Sequence, residues 1–417
     1  MNRKRPALPA TILTLNPGGN SLKAEFVECR ASQQYAFEGR TLLSVSIEGI
    51  GKASEISILK GKEKTSTEAI SAGSYEQAAS SFLKWCDNRS HSGEHAELSD
   101  VGAVAIRVVH GGRDFVEPAL MDQHVIDRIT QFEKLSPLHN QSSIEVLAPV
   151  CCQFPGVPVY AVFDTAFHHT MPDHASLYAI PPDLAERHQI RRYGFHGISH
   201  RYLLERYAHL AGKVPEECSI VSTHLESGCS LTAIEKGRSV DNTMGLTPLE
   251  GMMMGTRSGD IDPSIVALLM REEHMAVDDV MTLLNRKSGL LGVSGDSLDT
   301  RILMKEYESN PRAKLAMDMF AYRVRKAAGS FVAALGSVDA IVFGGGIAEN
   351  GPFLRRVVCE GLSGFGLKLD HKANEELIDQ EGLLSTSGSP LKAWVIPTQE
   401  GLQMAHECVR KMSMKDQ

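Results

Sequence analysis

The sequence predicts an α/β chain made of two related lobes, and three observations carry that expectation. Short apolar, β-branched runs each end in polar or glycine-rich sequence: Ala10 to Leu15, Leu22 to Glu28, Val101 to Val109, Val157 to Phe163, Ser219 to Thr223, Ser230 to Glu235, Ala340 to Phe343 and Ala393 to Ile396. Between them, Ser80 to Asp87, Ile261 to Arg271, Lys314 to Leu335 and Gly401 to Met412 carry apolar residues at three-to-four spacing, the signature of amphipathic helices. Two hairpins of similar plan also lie about 200 residues apart in a chain of 417. That spacing fits a duplication in which each lobe offers one hairpin tip to a shared cleft, although two unrelated hairpins could look alike by chance.

Each element has a local reason. The first hairpin turns at Asn16-Pro17-Gly18-Gly19-Asn20-Ser21, a run dense in residues that favour turns. The second turns at His224-Leu225-Glu226-Ser227-Gly228, and the last helix starts directly after Pro397-Thr398-Gln399-Glu400. Lys52 to Thr67 and Asp87 to Glu97 carry charge and hydroxyls without apolar periodicity and read as exposed connections. Met1 to Pro9, with Arg3, Lys4 and Arg5, is not followed by the apolar stretch of a signal peptide and reads as the frayed arm of a cytoplasmic protein.

Composition narrows the function. Apolar residues at 42% and charged residues at 23% suit a globular protein with a large core, and no run approaches a membrane span. With 43 basic against 51 acidic side chains the net charge is -8, which argues against a nucleic-acid binder. The eight cysteines show neither a CxxC pair nor zinc-ligand spacing and read as reduced, mostly buried thiols.

Polar residues crowd where strands end, at Asn16 to Lys23, Arg107 to Arg113, Asp164 to His169, Gly344 to Asn350 and Thr398 to Glu400. Ligands of α/β sheets bind outside such ends. The glycine-rich tip with Ser21 and Lys23 can approach a phosphate, or be no more than a turn; GxxxxGK[ST] and GxGxxG are both absent. Arg257, between Gly255 and Gly259, is either poised for an anion or a solvated charge beside two helix-capping aspartates, Asp260 and Asp262. His196 in Tyr193-Gly194-Phe195-His196-Gly197 is either catalytic or a satisfied core histidine. With His200 it has the spacing of a zinc pair, but no third ligand suggests itself. Asp164 ends an apolar strand, where a carboxylate holds Mg²⁺, orients a nucleophile or caps a helix.

In order, these segments resemble the acetate kinase family from Asn16 to Glu400. The resemblance rests on Arg107-Val108-Val109-His110-Gly111-Gly112, Pro137-Leu138-His139-Asn140, Val162-Phe163-Asp164-Thr165-Ala166-Phe167-His168, Arg192-Tyr193-Gly194-Phe195-His196-Gly197, and Thr247-Pro248-Leu249-Glu250-Gly251 through Pro263. It implies two duplicated ribonuclease H-like lobes of the actin-like ATPase and sugar kinase fold, with a cleft between them. The N-terminal lobe would be 1–165, completed by the C-terminal helix 398–417, and the C-terminal lobe 166–397 would bind nucleotide and dimerise. The implied reaction is reversible transfer of a phosphoryl group from ATP to acetate with Mg²⁺ or Mn²⁺, giving acetyl phosphate and ADP in a homodimer, with no nucleic-acid or membrane partner. A propionate or butyrate kinase, a variant with another donor such as pyrophosphate, and a non-catalytic nucleotide sensor are the competing readings.

The resemblance also implies roles. His196 and Arg257 would contact the phosphoryl group, and Arg107 would grip the carboxylate with His139 nearby. Asp164 matches the family's acid or base; because acetate is already ionised at neutral pH, orienting Arg107 or the hydrated metal suits it better. Val109, Leu138, Phe195 and Pro248 would enclose the methyl group, and Asn16 and Glu400 would hold the metal. Ser21, Lys23 and the segments His224, Leu225, Glu226, Ser227, Gly228; Asp299, Thr300, Arg301; and Gly346, Ile347, Ala348, Glu349, Asn350 would face the nucleotide. Departures from the family pattern cluster on this donor side: Glu226-Ser227 for Gly-Asn, Gly19-Asn20 for hydroxyl residues, and Ala348 for Gly. Ile106 also replaces a histidine. Glu226 would set a carboxylate beside the phosphates, and Ala348 would add a methyl group near the nucleotide.

Overall fold

The computed structural model describes residues 11–30, 38–60, 63–89, 97–132 and 140–414; Met1 to Pro9, Pro137, Leu138 and His139 lie outside the described residues. The chain divides into two compact units, Met1–Ala166 with Gln399–Gln417, and Phe167–Thr398.

The first unit holds an eight-stranded sheet of β1 (Thr11–Pro17), β2 (Ser21–Arg30), β3 (Glu38–Glu48), β4 (Ser54–Lys60), β5 (Glu63–Ile70), β6 (Val101–Val108), β7 (Ala119–Leu120) and β8 (Val159–Phe163), in the order β5-β4-β3-β2-β1-β6-β8-β7. β1, β6 and β8 run parallel, so Asn16, Arg107 and Asp164 emerge at the same end of three neighbouring strands. Burial fits that placement, because Ile12, Leu13, Val104, Ala105, Ile106 and Ala161 are wholly inside. Ile106 therefore belongs to the core, where a buried imidazole would require a hydrogen-bond partner. Phe82, on the helix Tyr75–Arg89, packs on Phe26 with ring centroids 6.2 Å apart.

The second unit holds a six-stranded sheet of β9 (Ile220–Leu225), β10 (Cys229–Glu235), β11 (Arg238–Asn242), β12 (Ala340–Gly344), β13 (Gly382–Leu383) and β14 (Lys392–Val395), in the order β11-β10-β9-β12-β14-β13. This repeats β3-β2-β1-β6-β8-β7 of the first sheet strand for strand. Each begins as an antiparallel meander, continues into two strands parallel to its first strand, and ends in a short antiparallel strand. Two lobes on one plan are what the fold class required, and β4 and β5 are additions to the first.

Those additions correct the reading of Lys52 to Thr67 as an exposed connection. Ile56 and Ile58 alternate toward the core, and β5 forms a mostly exposed edge carrying Glu63, Lys64 and Glu68, charges that discourage edge-to-edge pairing. With so few apolar positions, neither strand stands out by periodicity. The segment from Asp87 is corrected in part, since the first helix continues to Arg89. Helix starts shift for capping reasons. Ser264–Glu272 begins where the Asp262 carboxylate accepts the Ser264 N–H, and Pro311–Leu335 where the Asn310 side chain accepts two backbone N–H groups. Five of the eight cysteines are buried, and all are free thiols.

Candidate functional site

Two polar clusters stand at these strand ends, one in each unit. In the first, the carboxylate of Asp164, only 1% exposed, accepts Arg107 Nε–H at 3.1 and 3.0 Å and Nη2–H at 2.5 Å. Arg107 Nη1–H donates to Asn16 Oδ1 at 2.9 Å, and Asn16 Nδ2–H donates to Glu400 at 2.6 Å. The amide is thus oriented by its neighbours: turned over, it would press oxygen on a carboxylate and N–H on a guanidinium. Ser143 Oγ–H donates to the Arg107 carbonyl, fixing the strand end from below. Glu400 arrives at the first turn of the helix Glu400–Met414. Gly401 beside it lies close under Glu25, so a Cβ there would meet the Glu25 carboxylate at 1.7 Å and have to displace it.

Lys23 faces Asn16 in the β1–β2 register and pairs with Glu25 at 2.9 Å, so this candidate phosphate cation is tethered to a carboxylate. Ser21 closes the hairpin, its carbonyl accepting the Gly18 N–H at 2.7 Å. Val109 is buried one residue past β6.

In the second unit, His196 stands immediately before the helix Gly197–Ala211 with φ of 56°, a left-handed conformation rare for a residue with a side chain. It is held there. His168 Nε2–H and Asn242 Nδ2–H both donate to the Phe195 carbonyl, at 2.9 and 3.3 Å. Gly194 turns at φ 73°, where a Cβ would strike the His168 ring at 2.7 Å. Burial lowers the His168 pKa to about 4, so the ring is neutral and can keep an acceptor nitrogen toward Ser239 Oγ, 2.8 Å away.

Arg257 lies on a pinned loop. Its carbonyl accepts the Met254 N–H, the Thr256 carbonyl accepts the Ser288 N–H, and the Ser258 N–H donates to Leu284. Arg257 Nη1–H donates to the Pro248 carbonyl at 3.2 Å. A methyl group on Gly228 would stand 3.4 Å from both Arg257 Nη1 and His196 Nε2, so the hairpin tip, the imidazole and the guanidinium converge. The His224 ring packs 4.4 Å from that of His196. Asp262 does cap its helix, while Asp260 braces the loop by accepting the Gly251 N–H. Arg257 is half-buried rather than a solvated charge. Phe195 and Pro248 are buried beside these groups in sequence.

The loop Gly344 to Asn350 follows β12. Gly345, at φ 84°, comes so near Leu225 that a Cβ would lie 2.4 Å from its nitrogen. The wholly buried Glu349 accepts N–H from Gly345 and Thr398 and the Thr398 hydroxyl. Ala348 is also buried, so its added methyl packs into the core. Ile347 is half-buried, and Asn350 Nδ2–H returns to the Gly346 carbonyl. Glu226 is exposed and accepts the Gly346 N–H at 3.3 Å, which ties the hairpin tip to this loop; Ser227 accepts the Gly255 N–H on its carbonyl. Asp299 caps the helix Thr300–Lys305 and pairs with the exposed Arg301 at 2.6 Å.

Among the described residues no group of three or more His, Cys, Asp or Glu is placed to hold a metal ion, and no helix is long and apolar enough to cross a membrane. Sequence reasoning gave no individual role to Ser222, Ser230 or Glu25, included His168 and Thr398 only within strand-end polar clusters, and gave His200 no role beyond a dismissed zinc ligand. The one available signal was the four-residue spacing of His196 and His200, which sets them one turn apart at the helix start.

A model of the Acetokinase family matches residues 11–406. The acetate kinase of Chloroherpeton thalassium is 39% identical over 97% of this chain and 100% of its own length. Among solved structures, the acetate kinase of Porphyromonas gingivalis superposes with a TM-score of 0.86 at 33% identity, covering 97% of this chain and 100% of its own. A propionate kinase from Francisella tularensis does so with a TM-score of 0.86 at 35% identity, covering 95% and 98%.

Proposed function

The chain belongs to the acetokinase family, and we propose that its acetate kinase reaction, reversible transfer of the ATP γ-phosphoryl group to acetate, is carried by these two clusters. The observation that bears most weight is the convergence of His196 Nε2 and Arg257 Nη1 on one point beside Gly228. An acetate oxygen is already anionic and needs no general base. The demand falls on neutralising charge as a loose phosphoryl group passes between two anionic oxygens. Arg107, oriented by Asp164 and Asn16, binds the carboxylate. His196 and Arg257 donate to the phosphoryl oxygens. Backbone N–H groups of the tip, and the Gly346 N–H once Glu226 releases it, serve the rest of the nucleotide.

The donor set fits Mg²⁺ or Mn²⁺ brought in with nucleotide, since such ions keep several waters and take one or two carboxylates plus phosphate oxygens. Glu400 would hold the ion, oriented by the Asn16 Nδ2–H, and the second lone pair of Asn16 Oδ1 could join it. A bound divalent ion supplies charge neutralisation on the phosphates.

Acetate is the proposed preferred acceptor, with Val109, Phe195 and Pro248 as its apolar surroundings. With Mg-ATP, turnover should fall from acetate to propionate to butyrate, about 5- to 150-fold for a first extra methylene at ~1–3 kcal/mol. No acyl phosphate from any of the three would refute the assignment. The chain is also proposed to act as a homodimer through its second unit, where the helix Ser264–Glu272 buries none of its residues and exposes Ile265, Leu268 and Met270. Light scattering should give twice the chain mass; a monomer at micromolar concentration would refute this.

Glu226 bears on the donor. Its carboxylate competes with phosphate for the Gly346 N–H and repels the triphosphate at short range. Glu226→Gly should lower KM for ATP about fivefold, for ~1 kcal/mol at a water-exposed position, with kcat for acetate little changed. A raised KM would mean that Glu226 supports the nucleotide.

A further inference from the structure

His196 does not stand alone. Its Nδ1 lies 2.9 Å from Ser230 Oγ; the same hydroxyl lies 2.7 Å from His200 Nε2; and His200 Nδ1 lies 2.7 Å from Ser222 Oγ. The fold assembles this row from a helix start and two paired strands. His196 stands at the helix start, where its carbonyl accepts the His200 N–H at 2.9 Å, and Ser230 is cross-strand neighbour to His224, two residues from Ser222 and on the same side of the sheet. His200, Ser222 and Ser230 are all completely buried, so every proton in the row needs an acceptor inside it.

Counting donors selects a direction. In one arrangement Ser222 O–H donates to His200 Nδ1, His200 Nε2–H to Ser230 Oγ, and Ser230 O–H to His196 Nδ1. Every hydrogen between Ser222 and His196 Nδ1 is then used, and the His196 proton sits outside the row on Nε2, the atom that lies 3.4 Å from the Gly228 methyl position beside Arg257. In the reverse arrangement His196 Nδ1–H donates to Ser230, Ser230 to His200 Nε2, and His200 Nδ1–H to Ser222. Ser222 O–H then has no acceptor among the described residues, at a cost of about 1–3 kcal/mol for a buried orphan donor. The reverse arrangement also leaves a lone pair on Nε2, which would repel an anionic phosphoryl oxygen. Burial works in the same sense by lowering the His200 pKa well below its ordinary value, since a doubly protonated ring would break the sequence of donors and acceptors.

We propose that Ser222, His200 and Ser230 form a one-way hydrogen-bond relay that fixes the proton of the neutral His196 ring on Nε2, ready to donate to the phosphoryl group. Ser230 and His200 are positioning residues, acting through His196. The inference rests on the phosphoryl-transfer reading for its purpose, although the proton placement itself is independent of it.

The test has a spectroscopic and a kinetic arm. Long-range ¹H–¹⁵N correlation on ¹⁵N-histidine-labelled protein, assigned with His196→Asn and His200→Gln, should show both rings neutral with hydrogen on Nε2. Hydrogen on Nδ1 of either ring would overturn the proposal whether or not the protein makes acetyl phosphate. In the kinetic arm, Ser230→Ala should lower kcat about tenfold, short of the ~10²–10³ expected when a transition-state donor is lost outright, while KM for ATP and acetate stays within about threefold. Ser230→Thr, which keeps the hydroxyl, should restore most of kcat. A Ser230→Ala enzyme with unchanged kcat, or with an unaltered His196 spectrum, would also overturn it. Should the variants fail to fold, the wild-type spectrum still decides.

Discussion

Arg257→Ala is expected to lower kcat by about 10³-fold or more while leaving the melting temperature nearly unchanged. A guanidinium that stabilises phosphoryl-transfer charge is worth roughly 10³–10⁵ in rate in comparable enzymes, and its contribution is larger when it is already positioned. Positioning here comes from the backbone, since the residues on either side of Arg257 are tied to Ser288 and Leu284 and its own carbonyl closes the loop on the Met254 N–H. Those ties do not involve the side chain, so truncation leaves the loop in place. The side chain itself donates to the Pro248 carbonyl at 3.2 Å and approaches the Met254 sulfur at 3.7 Å. Arg257→Lys separates charge from geometry, because an ammonium keeps the charge but loses the planar fork; it should recover only part of the lost rate. A ten-fold or smaller loss in Arg257→Ala would mean that the guanidinium does not meet the transferring group.

Much of this was legible in the sequence, and the limits have physical causes. Asn16, Arg107 and Asp164 could be found because parallel strands deliver their last residues to one edge, and the two hairpins announced themselves by turn chemistry between apolar runs. The role of Asp164 was also accessible, through the ionisation state of a carboxylic acid at neutral pH. β4 and β5 were not, because an edge ribbon that buries little carries little apolar pattern. The relay behind His196 was invisible for another reason. Its serines come from two strands, Ser222 22 residues past His200 and Ser230 34 past His196, and a hydroxyl has no periodicity of its own. Glu226 shows a third limit: its charge was plain, but the backbone N–H it accepts lies 120 residues away, and the proposed competition with phosphate rests on that contact.

Arg107→Ala should impair both acetate use and stability, and the two losses have different origins. Charge-assisted hydrogen bonds to a carboxylate are worth ~1.5–3 kcal/mol, so KM for acetate should rise by about 10- to 150-fold. Stability should fall by about 3–5 kcal/mol, since Asp164 is almost wholly buried and would be left without the guanidinium facing it. At the scale of the first unit this amounts to a melting point lower by roughly 10 °C. The double variant Arg107→Ala/Asp164→Ala distinguishes a stranded charge from a simple cavity. If the stranded carboxylate dominates, removing it as well should return part of the lost stability, although even more volume is missing. If the double variant melts lower still, packing around the strand end outweighs the ion pair, and Asp164 is held by its other neighbours. Asp164→Asn then addresses chemistry: a carboxylate that only orients Arg107 leaves the shape of the pH–rate profile unchanged when it becomes an amide, whereas a general base would take the acidic limb of that profile with it.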